Sequence, residues 1–222
     1  MAASDGKEER LNVSRLQSFL TRHVRPLLSH ELQLGLSLRH DKHDKELVLS
    51  LRQDEGSDER EVARIKMSYF RSKGKHLDVL LESHTDARDR RKGYNMILRR
   101  VALLLSLQMC YRNKYPVATV TSYAINWISV WSLLKLGFDM HVVLDRAGKA
   151  VAPTESVLTA TYLRQHMPMQ QDAPAVARAK PWHMVKMQWV LPTDKSARKI
   201  LREAFLQMLT DETTRARVRS EK

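Results

Sequence analysis

The stretch Arg88-Asp89-Arg90-Arg91-Lys92-Gly93-Tyr94-Asn95 is the part of this chain best equipped for chemistry, and that chemistry is anion binding. Four basic side chains crowd one turn, and the glycine lets backbone approach a ligand closely. The stretch opens a long apolar, helix-like run. The amides of a helix's first turn point outward with the positive end of the helix dipole behind them, which suits a phosphate-rich ligand. From Arg88 to Arg100 six basic residues face one acid, so +5 of the formal charge lies in thirteen residues. The plain alternative is a solvated basic surface.

Other chemical signals are thinner. His40-Asp41-Lys42-His43-Asp44 holds residue types that ligate metals, but it falls in an expected hairpin turn, has no distant partners and contains a lysine, so a solvated turn is expected and no metal site. Cys110 is the only cysteine and sits beside Met109 and Leu107, which favours packed core over a nucleophile. Trp127, Trp131, Trp182 and Trp189 read as core or interface anchors rather than a platform for stacking bases. There is no Ser-His-Asp order, Walker loop or zinc spacing.

The chain's 222 residues suffice for one sizeable domain needing neither disulfide nor metal. One thiol cannot form an internal disulfide, so a reducing, intracellular compartment or redox indifference is expected. The first ten residues have neither the apolar core of a signal peptide nor the composition of a transit peptide. No apolar run approaches the length of a membrane span. A net charge of +13 and a pI near 10.0 favour polyanionic partners: nucleic acid, acidic lipid or a phosphorylated cofactor.

Elements to position these residues follow from periodicity. Residues 1–10 are polar and read as disordered. Leu16, Phe19, Leu20, Val24, Leu27 and Leu28 give a helix, capped by Asn12 or Ser14 and bent or ended by Pro26. The period then becomes two. Leu32 to Leu38 and Leu47 to Leu51 alternate as a hairpin, Val62 to Tyr69 form a third strand and Leu77 to Leu81 a fourth, which together predict an antiparallel meander. Met96 to Met109 predicts a buried helix, Val117 to Ile125 a fifth strand, and Trp127 to Leu136 a helix stopped by Gly137. Strand, helix, strand implies a right-handed crossover and a parallel fourth and fifth strand. Phe138 to Leu144 and Trp182 to Leu191 predict two more strands, with a long surface loop at residues 166–181 between them. Ala197 to Leu209 predicts an amphipathic helix capped by Thr193 or Asp194, followed by a basic tail from Arg215.

This order resembles the GNAT family of acyl-CoA-dependent N-acyltransferases. Arg90-Arg91-Lys92-Gly93-Tyr94-Asn95 matches the first four positions of the family's Arg/Gln-x-x-Gly-x-Gly/Ala loop, with Asn95 at the sixth. Asn126 to Phe138 is similar to the family's Asn-x-x-Ala/Ser followed by a short helix ending in Lys-Leu-Gly-Phe. The resemblance implies an α+β fold: a mixed, mostly antiparallel sheet of six to seven strands, strands four and five parallel and splayed, helices on both faces, and an extra C-terminal helix. The domain would span 11–191, with 192–222 as helix and tail. It implies acetyl-CoA or CoA as cofactor, its pyrophosphate on the amides from Arg91 through Tyr94 to Asn95 with Arg88, Arg90 and Lys92 as added charge. Leu81, Glu82 and Ser83 would line the pantetheine arm, with Asn126 and Ser129 where the strands splay.

An N-acetyltransferase of this kind moves an acetyl group to an amine, free or on a protein, by direct attack. It needs a base to deliver the amine neutral, and Glu82 and His84 are placed for this beside the fourth strand. Many family enzymes carry a tyrosine four residues before the glycine to protonate the leaving thiolate; that position is Leu133, and Tyr123 is the nearest tyrosine. The alternative is a catalytically inactive protein of this fold serving a nucleoprotein assembly, ribosome-associated or viral, through its basic surface.

Overall fold

The computed structural model describes residues 12–54, 58–72, 76–85, 87–89, 92–112, 117–145, 147–150, 163, 165, 167 and 184–220. Residues 1–10, Arg90, Arg91, Trp182, the Cys110 side chain and the 166–181 segment apart from Met167 lie outside them.

Helix α1 (Val13–His23) starts where Asn12 Oδ1 accepts the Arg15 amide at 3.1 Å, and it buries Leu16 and Leu20. The expected single helix is two. At Val24 the chain breaks, and α2 (Arg25–Leu32) restarts with Pro26 in its first turn, where a missing N–H costs nothing. Pro26 therefore begins a second helix instead of only ending the first.

Strands β1 (Leu34–Asp41), β2 (Glu46–Asp54), β3 (Glu59–Ser72) and β4 (His76–Thr85) form the antiparallel meander. Alternation sorts their side chains. Leu34, Leu36 and Leu38 on β1, Leu47, Leu49 and Leu51 on β2, Ile65 and Met67 on β3, and Val79 and Leu81 on β4 are all buried. The β1–β2 turn is held by Asp41 Oδ1, which accepts the amides of His43 and Asp44 at 3.0 and 3.3 Å. The histidine-aspartate cluster is thus a turn-former.

Helix α3 (Tyr94–Arg112) leads to β5 (Val117–Ala124), α4 (Trp127–Lys135), β6 (Asp139–Leu144), β7 (Met184–Val190) and α5 (Lys195–Ser220). The sheet order is β1-β2-β3-β4-β5-β7-β6. Among the described strands β4–β5 is the one parallel pair; the mixed seven-stranded sheet and the C-terminal helix match the expected fold class. Helix α3 packs across β2, β3, β4 and β5 and against α5, which also meets α2. Its residues Ile97, Leu98 and Val101 to Leu105 are fully buried, as a helix apolar on most sides requires. No described helix is long and apolar enough to cross a membrane.

Two segments differ from their sequence reading. Met167, in the expected surface loop, is core, 1% exposed, as is Leu163 at 0%. Asp194 Oδ2 caps α5 by accepting the Ala197 amide at 2.7 Å, but the helix continues to Ser220, so most of the expected tail is helical. Its last turns bury Thr213 and Ala216 and are tied to α2 by Arg217 Nη1 and Glu31 Oε2 at 2.8 Å.

Candidate active site

The site is built on a fork. The β4–β5 ladder ends at Leu81 opposite Ser122, where Ser122 Oγ donates to the Leu81 carbonyl at 3.1 Å. Both strands run on. On its other side β4 stays paired with β3 as far as Thr85 opposite Ala63, and β5 with β7 as far as Ala124 opposite Val185. Each strand thus keeps one neighbour and loses the other, leaving inner backbone groups of Glu82 to Thr85 and of Tyr123 and Ala124 without a ladder partner. An extended ligand with its own amides can pair with such an edge. Because β4 and β5 are parallel, their C-terminal ends and the start of the connecting helix share one rim, the usual place for ligands in sheets with parallel strands.

At that rim Gly93 begins α3. Its carbonyl accepts the Met96 and Ile97 amides at 3.0 and 3.2 Å, and its φ of 91° lies in the left-handed region that a side chain disfavours. The amides of Tyr94 and Asn95 fall in the first turn, where a helix offers no acceptor of its own. Tyr94 is buried, and its hydroxyl is pushed above its ordinary pKa by that burial. Asn95 Oδ1 is buried without a hydrogen-bond partner.

Part of the basic charge has an internal target. The Asp89 carboxylate, fully buried in the short helical turn Ala87–Asp89, accepts from Arg60 Nη1 at 2.5 Å and Lys92 Nζ at 2.9 Å. Lys92 is thereby a pinning residue for the loop; Arg88, in the short helical turn beside Asp89, is exposed. Burial alone would raise the Asp89 pKa, but the hydrogen bonds and charges of Arg60 and Lys92 outweigh it and leave it below the ordinary 3.8. A depressed carboxylate stabilises the fold above its unfolded pKa, and that contribution disappears as pH falls through the folded value. Asp89→Asn is expected to cost about 2 kcal/mol at neutral pH, from loss of charged hydrogen bonds in a buried place. Urea melts of both proteins should converge below the ordinary carboxylate pKa; a gap that persists in acid would show that the charge is not the cause.

The proposed acid-base residues occupy the other face. Leu81 and Ser122 are buried, so alternation turns Glu82, His84 and Tyr123 away from the core on both arms of the fork. Glu82 and His84 are exposed, and Tyr123 is 40% exposed. Neither Glu82 nor His84 makes a side-chain hydrogen bond or ion pair with a described residue. Lys66, opposite Glu82 on β3, is held by Glu46 at 2.7 Å. Leu133 is fully buried and offers no proton.

Asn126, Ser129 and Gly137 turn out to delimit α4. Asn126 Oδ1 accepts the Ser129 amide at 2.8 Å, capping the helix directly after β5. At the far end Gly137, φ 84°, donates to the Leu134 carbonyl at 2.9 Å while Phe138 reaches back to Leu133 at 3.1 Å. The motif behind the resemblance is therefore also a device that seats a helix at the fork. Asn126→Ala should cost about 1 kcal/mol as a lost cap; a chemical melt unchanged from wild type would contradict the capping role.

The sequence reading passed over Arg99. It is 4% exposed, and its guanidinium enters the fork region from α3, donating Nη2 to Ser83 Oγ at 3.0 Å and Nη1 to Ser132 Oγ on α4. Ser83 is thus engaged from below while Glu82 and His84 face outward. Two adjacent arginines, Arg99 and Arg100, inside an apolar helix were the available signal.

No protein-family model matches the chain, and no curated protein matches it. Among solved structures it is similar to a GNAT-family acetyltransferase from Streptococcus pneumoniae, at 12% identity and TM-score 0.44 over 86% of this chain and 83% of that one. It is also similar to Arabidopsis thaliana NAA60 in complex with acetyl-CoA, at 8% identity and TM-score 0.44 over 81% of this chain and 93% of that one. A ribosomal-protein-alanine N-acetyltransferase from Brucella melitensis matches at 14% identity and TM-score 0.41 over 82% and 80%. Likenesses this distant assign no chemistry to the chain, which its own geometry has to supply.

Proposed function

We propose that this protein is an acyl-CoA-dependent N-acetyltransferase that passes an acetyl group to an amine at the β4–β5 fork. The observation that carries this is the parting of β4 and β5 after Leu81 and Ser122 while both outer ladders continue, directly beside the glycine-initiated start of α3. The residues present fit the cofactor. The amides of Tyr94 and Asn95, with Arg88 close by in sequence, suit the pyrophosphate; Leu81, Glu82 and Ser83 on one arm suit the amide-bearing pantetheine. Arg90, Arg91 and Ser129 are assigned to the same ligand by resemblance.

Bound acetyl-CoA would supply an acyl carbon activated as a thioester. Glu82, or His84 beside it, removes a proton from the acceptor ammonium so that a nitrogen lone pair is free to attack. Attack on that carbon would form the C–N bond and release the sulfur as thiolate, and the Tyr123 hydroxyl, on the same outward face as Glu82 and His84, would supply the proton it takes up. These side chains do no covalent work: the amine attacks directly.

Calorimetry with acetyl-CoA tests the reading, with Gly93→Val as the control that adds a side chain at a positive φ. Binding by the wild-type chain, weakened in the variant while helical content by circular dichroism is retained, is the expected result. Equal binding by both proteins, or none by either, would remove the fork as the cofactor site.

A further inference from the structure

Two neighbouring arginines on α3 enter the interior and meet opposite surroundings. Arg100, 5% exposed, is neutralised by Glu212 on α5, Nε to Oε2 at 3.0 Å and Nη2 to Oε1 at 2.6 Å, with its guanidinium 5.6 Å from the Phe205 ring centre. Arg99, equally buried, hydrogen-bonds among the described residues to the hydroxyls of Ser83 and Ser132, and no described carboxylate pairs with it. Ser132 Oγ in turn donates to the Ser129 carbonyl at 2.9 Å, so this hydroxyl faces the guanidinium with a lone pair. Burial pushes the Arg99 pKa down to about 10, which still leaves a full cation at neutral pH.

A buried cation without a counter-ion is costly, and hydroxyl dipoles offset only part of that cost. Such an arrangement persists where another requirement maintains it, which is characteristic of functional sites. Its position says which requirement. Ser83 lies two residues past Leu81, inside the fork, and Ser132 lies on the helix that Asn126 starts just beyond β5. The cation therefore ties the β4 arm to the helix that follows β5, over a turn into α3 from the amides that suit phosphate. A guanidinium edge matches the two oxygens of a planar carboxylate.

We propose that Arg99, Ser83 and Ser132 form a carboxylate-binding subsite in the fork, so that one reactant carries a carboxylate, on its acyl chain or on the acceptor amine. This rests on the acyl-transfer reading for its reactants, though the subsite itself can be seen without turnover.

Three measurements on the full-length protein test it. The first follows arginine Nε–H signals by NMR during addition of sodium succinate, with sodium chloride at equal ionic strength as control; the Arg99 signal, assigned by its loss in Arg99→Met, should move with succinate alone. The second compares acetyl-CoA with succinyl-CoA by calorimetry, and the third compares glycine with methylamine as acceptor. One of these pairs should show a preference of about tenfold for the carboxylate, the scale of one charge-assisted hydrogen bond. A preference for succinyl-CoA places the carboxylate on the acyl chain; a preference for glycine places it on the acceptor. In Arg99→Met, or in Arg99→Gln if the first variant does not fold, that preference should vanish with acetyl-CoA affinity retained. Melting temperature should hold or rise, which a purely structural arginine would not allow. A succinate-responsive Arg99 in a protein that binds no thioester would sink the acyl-transfer reading and keep the subsite. No Arg99 response and no preference in the wild-type protein would overturn the subsite.

Discussion

Glu212→Ala is expected to lower folding stability by about 3 kcal/mol, because it leaves the buried Arg100 guanidinium without its bidentate partner. The pair joins α3, the central helix of the core, to α5. Arg100 cannot retreat to solvent, since its side chain is 6% exposed and its guanidinium also donates to Met208 and lies over Phe205, both on α5. The control is the double variant Arg100→Met with Glu212→Ala. Replacing both members of a buried pair with apolar side chains is often close to neutral, so the double variant should recover most of the loss. Denaturant melts of the four proteins measure this. A single-variant loss below about 1 kcal/mol would place the pair with exposed ion pairs that contribute little.

Glu82→Gln is expected to lower kcat about a hundredfold or more at neutral pH with little change in acetyl-CoA affinity, the usual scale for losing a general base. Amide and carboxylate have nearly the same shape, so what is removed is the ability to accept a proton. The deficit should shrink as pH rises toward the amine's own pKa, about 10 for a lysine-like acceptor, because the substrate then arrives neutral without help. His84→Ala separates the two candidates: the larger loss identifies the base. Tyr123→Phe should lower kcat across the whole pH range if its hydroxyl protonates the leaving sulfur. If neither Glu82→Gln nor His84→Ala changes kcat, the exposed face of the fork is not where the proton leaves.

The local parts of this architecture were legible in the residues. Leucines at every second position set the meander and its buried face, because a one-residue slip would turn the whole set to solvent. Gly137 and Asp194 announced where helices stop and start. What escaped depended on distant partners. Lys92 reads as ligand-directed charge until Arg60, 32 positions earlier, is seen to share the buried Asp89 with it. The last turns of α5 bury Thr213 and Ala216, small or polar residues that hydropathy does not flag. Arg99 and Arg100 look alike in sequence, and only the fold gives one of them an acid. The fork itself was expected from resemblance alone, since no periodicity says where two parallel strands stop pairing.

The parallel pairing also bears on how the molecule assembles. The meander joins strands that follow one another along the chain, whereas Leu81 and Ser122 meet across 41 residues and a complete helix. Contacts of long sequence separation form late and slow folding. The fork is thus expected to be a seam between an earlier-forming half, β1 to β4, and a later one carrying β5, β6 and β7. A seam whose last rungs are missing is also a place where opening needs little more than fraying. Amide hydrogens of Glu82 to Thr85 not held by β3 would then exchange well ahead of those in β2, and the surface proposed to accept a ligand would be the one the protein last completes and most readily reopens.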